Sequence, residues 1–463
     1  MPCQPDQGFA ALAVQQPETE RMSTSTLSAV VALRASSSFL SEEVHAESCN
    51  STIALPRHFF FGLGLALTAC MGGGLIFGCA PFQNALVHKY GYSMADTAAV
   101  WGRGFEMFVF GTAILSPFLD VVGPRWFAVA GAAMEWLGHN FLTRTASFPV
   151  TQGVDILSFA YGMVGLGGNM LMLASVQFCQ LYSRSSTAAA LLMGAYQSAG
   201  FIFTIFSLTN VDFSTFFGIY QVISLVGLAV VLLSFPDKPC ESPQDAHCSL
   251  PVACTWLCTR TATVDRTGIG SLGRSLAPLK RLRTWLFLLS FSMAATCGAW
   301  CDGIFLSELN RKAAADPAAK NKLSQLIFWM PLVSNATFFF TPLIGALIDS
   351  HGFPLAVQLL FAVIALLVLS LWLLPLAWQW LTLLLLNWLQ AVTYTLQFAY
   401  ITRRYASDQF GAVMSFSTLA QAAVNPLGVY LLSAPLFQAA IAFIPCSLVL
   451  CGLWSWQETA RPA

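Results

Sequence analysis

Two pairs of ionisable side chains stand inside long apolar stretches of this sequence. Arg103 and Glu106 are three residues apart; Glu135 and His139 are four apart. On a helix each pair shares a face. A charge in hydrocarbon is costly unless it is paired or wet, so such residues mark candidate sites. Arg103 and Glu106 read either as a gate touching a substrate's charged end or as a self-contained ion pair near an interface. Glu135 and His139 read either as a proton relay or as a structural hydrogen bond. A third set is neutral: Gln83 and Asn84, Asn169 and Gln177, Gln197, Asn335, Tyr394 and Gln397, Gln421 and Asn425. Amides and phenols can hold an amino or carboxylate group without bringing a full charge into the membrane. Their alternative role is interhelical hydrogen bonding, worth about 0.6 kcal/mol each. Gly72, Gly73, Gly74 and Gly78 crowd one short stretch. Gly74 and Gly78 form G-x-x-x-G, which allows close helix packing. A loosened turn at Gly73 and Gly74, its N–H groups binding a carboxylate, is the alternative.

Long apolar helices must position these groups. The chain has 463 residues, 56% hydrophobic and 10% charged, with mean hydropathy +0.66. A soluble domain carries roughly 25% charged residues, so a lipid bilayer is the expected surroundings. Apolar runs predict twelve spanning helices: 59–82, 98–119, 125–143, 154–181, 187–209, 215–235, 285–306, 324–348, 354–374, 376–401, 410–432 and 434–455. Only Pro375 separates the ninth from the tenth. The expected domains are a disordered cytosolic tail 1–56, a six-helix bundle 57–236, a cytosolic linker 237–283, a second bundle 284–456 and a tail 457–463. The fold class is an all-α membrane protein of two pseudo-symmetric six-helix bundles.

A short motif repeats at equivalent helix ends. Ser116-Pro117-Phe118-Leu119-Asp120-Val121-Val122-Gly123-Pro124-Arg125 follows the second run, and Gly345-Ala346-Leu347-Ile348-Asp349-Ser350-His351-Gly352 closes the eighth. Both contain D-x-x-G, and Asp120 to Asp349 is the same interval, 229 residues, as Gly123 to Gly352. Such a carboxylate can meet the N-terminus of a neighbouring helix or a basic partner such as Arg184, while the glycine permits a tight turn. Asp120, Gly123, Arg125, Asp349 and Gly352 are therefore candidates for a latch, or for a simple turn and cap. With the N-terminus inside, fifteen Lys and Arg fall on the cytosolic side and six on the other. That bias predicts cytosolic termini.

Six plus six helices, a long central linker and D-x-x-G after helices two and eight resemble the major facilitator superfamily. Its pattern is G-x-x-x-D-[RK]-x-G-[RK]-[RK]. The first copy has Ser116 for Gly and Val121 for a basic residue, and the second lacks the basic residues. Gly73-Gly74-Leu75-Ile76-Phe77-Gly78 leading to His88-Lys89-Tyr90-Gly91-Tyr92, Leu119-to-Arg125, Gln197-Ser198-Ala199-Gly200 and Phe216-Phe217-Gly218-Ile219-Tyr220 are similar to solute carrier family 43 and the related apicomplexan amino acid transporters. The resemblance implies rocking bundles and sodium-independent transport of a large neutral amino acid; Glu106 or Glu135 leaves room for a cationic one, and the expected location is the plasma membrane.

Other classes lack their signatures. No G-x-x-x-x-G-K-[ST] occurs, which counts against ATP-driven transport. No nucleophile–base set suggests an enzyme, and zero net charge gives no sign of nucleic acid. Cys240, His247, Cys248, Cys254 and Cys258 match no zinc spacing, so neither metal nor cofactor is expected. The expected partners are a small-molecule substrate, the bilayer and, as an alternative, protons, with the chain a monomer. A proton-coupled monocarboxylate or sugar porter, or a transporter-like receptor without flux, stands beside the amino acid reading.

Overall fold

A computed structural model of the chain describes residues 53–55, 57–71, 86–87, 89–148, 150–201, 211–236, 248–250, 277–314, 320–406, 409–432 and 434–459. Among the described residues, helices lie in all twelve predicted runs. They are α1 (Arg57–Cys70), α2 (Met94–Val122), α3 (Pro124–Thr143), α4 (Val150–Val176), α5 (Ser185–Ser198), α6 (Phe213–Ser234), α7 (Leu282–Ala314), α8, α9 (Phe353–Leu373), α10 (Gln379–Arg404), α11 (Phe410–Leu432) and α12 (Leu436–Thr459). The eighth, α8, is split into Lys320–Asn335 and Thr341–His351, joined by a 3-10 turn over Ala336–Phe339. Among the described helices, α2, α4, α6, α7, α9 and α12 are each long and apolar enough to cross a membrane.

Local chemistry sets the boundaries. Ser93 and Asp96 form a capping box at the start of α2, satisfying backbone N–H groups the first turn would leave open. Asp212 caps α6 through the Ser214 N–H. The ninth and tenth helices, poorly separated in sequence, break at extended Leu374 and at Pro375. Gly123 and Gly352 each end one helix and start the next at φ 82° and 83°. A side chain is strained in that left-handed region.

The helices pack through small residues. A Cβ on Gly131 of α3 would lie 2.6 Å from the Gly167 carbonyl oxygen of α4, and one on Gly167 would lie 2.4 Å from that of Gly131. Only glycines allow so close a backbone approach. In the second half, α9 packs on α10 and α12, and α7 on α11. Two short strands, Ile53–Leu55 and Cys248–Leu250, pair antiparallel, where the sequence predicted a disordered tail and a linker loop. Within those two segments residues 1–52, 56, 237–247 and 251–276 lie outside the described residues, so of the five zinc candidates only the backbone of Cys248 is described.

Candidate functional site

A cavity lies between the two sets of six helices. The first set contributes Phe105, Phe108, Val109 and Thr112 from α2, Asn169 and Met172 from α4, and Met193 and Tyr196 from α5. The second contributes Phe291 from α7, Tyr394, Gln397 and Phe398 from α10, and Met414, Thr418 and Gln421 from α11. Its free space is about 40 Å³. Roughly 10–15 Å³ on that measure holds one water. The cavity as it stands admits a few waters and no amino acid.

Its polar groups are few and largely held. Asn169 donates Nδ2–H to Thr112 Oγ1 at 2.8 Å. Gln397 donates Nε2–H to Ser417 Oγ at 2.9 Å. Tyr394 sits edge-on to Phe291, ring centroids 6.2 Å apart. Gln197 is buried on α5, its Oε1 without a hydrogen bond, and is not among the lining residues. Asn425 is exposed on α11 beside Pro426, outside the cavity wall. Asn335 ends the first segment of α8. Gly73, Gly74, Gln83 and Asn84 lie outside the described residues.

One end of the cavity is shut by two carboxylates. Asp120 at the end of α2 accepts hydrogen bonds from the N–H groups of Gly411 and Ala412, at 2.8 and 2.9 Å, in the first turn of α11. Asp349 at the end of α8 accepts from the N–H and hydroxyl of Thr187, at 2.9 and 2.7 Å, in the first turn of α5. Each carboxylate sits at the positive end of a helix from the opposite half, where unsatisfied N–H groups and the helix dipole favour an anion. Ser415 of α11 adds a hydrogen bond to the Ala113 carbonyl of α2. Arg125 serves a different joint: buried, it donates through Nε to the Phe235 carbonyl and through its backbone N–H to Pro236. It ties the start of α3 to the end of α6.

The two ionisable pairs depart from expectation. Arg103 pairs with Asp155 of α4, not with Glu106. Arg103 and Glu106 are exposed and absent from the cavity wall, because at 100° per residue Arg103 points roughly opposite Phe105 and Thr112. Glu135 and His139 do not bond each other. His139 meets Ser224 Oγ of α6 through Nδ1 at 2.9 Å and stacks on Phe217. Glu135 is fully buried between α3 and α4, neither carboxyl oxygen hydrogen-bonded. Separation along the helix put each pair on a common face, but the neighbouring helix decided the partner.

Asp302 is among the residues that escaped sequence reading. It interrupts the apolar run 285–306, the same signal that marked Glu106 and Glu135. The cavity's apolar wall, Phe105, Phe108, Met172 and Met193 above all, carried no such signal, since apolar residues inside apolar helices do not stand out.

No protein-family model matches the sequence, and no curated protein is similar to it. Solved structures are similar in fold. A bacterial homologue of the iron transporter ferroportin, in its outward-facing state, has TM-score 0.56 at 13% identity, covering 87% of this chain and all of that one. The proton:xylose symporter XylE, of the major facilitator superfamily, has TM-score 0.55 at 12% identity, covering 86% and 95%. A double-tryptophan form of XylE has TM-score 0.59 at 14% identity over the same shares. This chain has the major facilitator fold. That fold, with its long apolar helices, is that of a multi-pass membrane protein.

Proposed function

We propose that the chain is a secondary transporter carrying a small polar solute by alternating access, an amino acid being the favoured cargo. The observation that carries this is the cavity between the halves, closed at one end by contacts that cross from half to half. Hydrogen bonds to helix ends can break when the halves rock and reform when they return. That makes Asp120 and Asp349 a latch on the cytosolic side, with Gly123 and Gly352 as the turns that aim them. An amino acid suits the wall: Asn169, Gln397, Gln421 and Tyr394 offer neutral hydrogen bonds, and Phe105, Phe108 and Phe291 offer apolar surface for a side chain. Uptake is facilitated, the protein lies in the plasma membrane, and both termini are cytosolic.

Uptake of radiolabelled amino acids into proteoliposomes, at two pH values and with excess unlabelled competitors, tests this. Saturable uptake of one group, lost in Asp120→Ala protein that stays monodisperse, is the expected result. Absence of uptake by monodisperse wild-type protein sinks the amino acid reading. A second reading, proton-coupled monocarboxylate or sugar transport, is favoured by Glu135, whose buried carboxyl lacks a hydrogen bond and is costly to hold ionised. It requires transport that responds to pH and to protonophore in wild type, with that response gone in Glu135→Gln.

A further inference from the structure

We infer that Asp302 is the anchor for the ammonium group of the transported solute, an inference that rests on the transporter reading above. Asp302 lies within α7, a helix long and apolar enough to cross the membrane. A carboxylate there must be paired or wet. It has no ion pair among the described residues, and its described partner is a neutral amide: Gln390 of α10 donates Nε2–H to Oδ2 at 2.9 Å. An amide orients a carboxylate without cancelling its charge, and Asp302 is exposed.

Helix geometry says what it is exposed to. Asp302 is eleven residues beyond Phe291, a residue of the cavity wall. Eleven residues are about three turns, so both lie on one face of α7, roughly 16 Å apart along the axis. Gln390 is likewise one turn from Tyr394, which also lines the cavity. Two helices therefore bring Asp302 and its amide to the same space, beyond the contracted cavity and away from the Asp120 and Asp349 end. Small residues fill the face between: a Cβ on Gly298 would meet nothing closer than Leu389 at 3.9 Å. The site offers one negative charge, a free carboxylate oxygen and a phenol ring one turn away. A compact organic cation, the ammonium of an amino acid or a simple amine, supplies the missing positive charge and finds the ring face attractive.

The test uses purified full-length protein, as thermal stabilisation in detergent and as uptake into proteoliposomes. Probes are leucine, phenylalanine and lysine, their des-amino analogues 4-methylpentanoate, 3-phenylpropionate and 6-aminohexanoate, and the amine butylamine. Asp302→Asn keeps shape and removes charge, Asp302→Glu keeps the charge, and Gln390→Ala removes the orienting amide. The expected result is that Asp302→Asn weakens the amino acid that wild type binds at least tenfold. Asp302→Glu restores part of that and Gln390→Ala costs a few-fold. A des-amino acid without an amine binds wild type and Asp302→Asn alike. Equal binding of the amino acid to wild type and Asp302→Asn overturns the inference and leaves the transport reading intact. If no amino acid binds but butylamine stabilises wild type and not Asp302→Asn, the amino acid reading fails and the ammonium site stands. If no amine binds, the inference falls; it falls too if Asp302→Asn instead abolishes the pH dependence of a des-amino substrate's uptake, which makes Asp302 a proton carrier. A misfolded Asp302→Asn is recognised by its elution profile, and Gln390→Ala with Asp302→Glu then decides between the same outcomes.

Discussion

The two D-x-x-G ends solve one packing problem with the glycine on opposite partners. At the first, Ser116 stands four residues before Asp120, and the glycine is on the receiving helix: a Cβ on Gly411 would lie 2.0 Å from the Ser116 carbonyl oxygen. At the second, Gly345 stands four before Asp349, and a Cβ there would meet Ala190 Cβ at 2.6 Å, Thr187 Cα at 2.7 Å and the Ser186 carbonyl at 2.8 Å. A carboxylate reaches two N–H groups at a helix start only if the helices nearly touch. One missing side chain per contact achieves that, whichever helix lacks it. The departure of Ser116 from the family pattern is therefore answered across the interface by Gly411. The contacts differ in a second way: Asp120 binds two backbone donors, whereas Asp349 binds one backbone and one hydroxyl donor, with Arg403 Nη1 at 3.7 Å.

The largest expected effects come from filling either gap. Gly411→Leu and Gly345→Leu push a side chain into backbone, and overpacking of this kind costs about 1–3 kcal/mol. Each variant is expected to leave its end open and abolish transport, read as labelling of a cysteine placed near Asp120 or Asp349. By contrast Ser116→Gly is expected to keep transport. It forfeits a Ser116 hydroxyl bond to the Thr112 carbonyl and about 0.5 kcal/mol of helix propensity, both visible as a small fall in melting temperature. A transport-dead Ser116→Gly would break the idea that the two glycines are equivalent.

Next come the carboxylates. Asp120→Ala and Asp349→Ala each leave helix-end N–H groups without their anion, at about 1–3 kcal/mol. Either change should bias the protein toward exposure of that end, measured as faster cysteine labelling there. Thr187→Ala sharpens the contrast, since it removes the hydroxyl donor of the second contact. It should cost about 1 kcal/mol, with partial loss of transport. Arg403→Gln is expected to do least, because a pair at this distance whose arginine is exposed is worth at most about 1 kcal/mol. Its effect should shrink further as salt is raised.

How much was legible beforehand follows from what each signal measures. Helix ends were readable where a turn residue punctuated the run. Gly123, Gly352 and Pro375 all stand where the structure breaks, whereas the predicted start of the second run, at 98, misses the cap at Ser93 and falls four residues late. Of the cavity, Asn169, Tyr394, Gln397 and Gln421 were legible as polar residues in apolar helices. Gln197 and Asn425 carried the same signal and lie elsewhere, because polarity says a residue must be satisfied and not which face it occupies. The Arg103–Asp155 pair was illegible for a related reason. Those residues are 52 apart in the chain, and nothing local records which turn of α4 lies beside which turn of α2.

The sequence by itself determined twelve helices, their grouping as six and six, and the repeat of D-x-x-G at equivalent ends. These follow from apolar run length and from turn chemistry, both local properties of the chain. Only the tertiary structure decided what Asp120 and Asp349 hold, that Gly411 answers Ser116, that Glu135 lacks a hydrogen bond, and that Gln390 of α10 meets Asp302. Each of these depends on which helix lies against which and at what height. That register is fixed by side chains meeting across hundreds of residues, and no spacing within one helix encodes it.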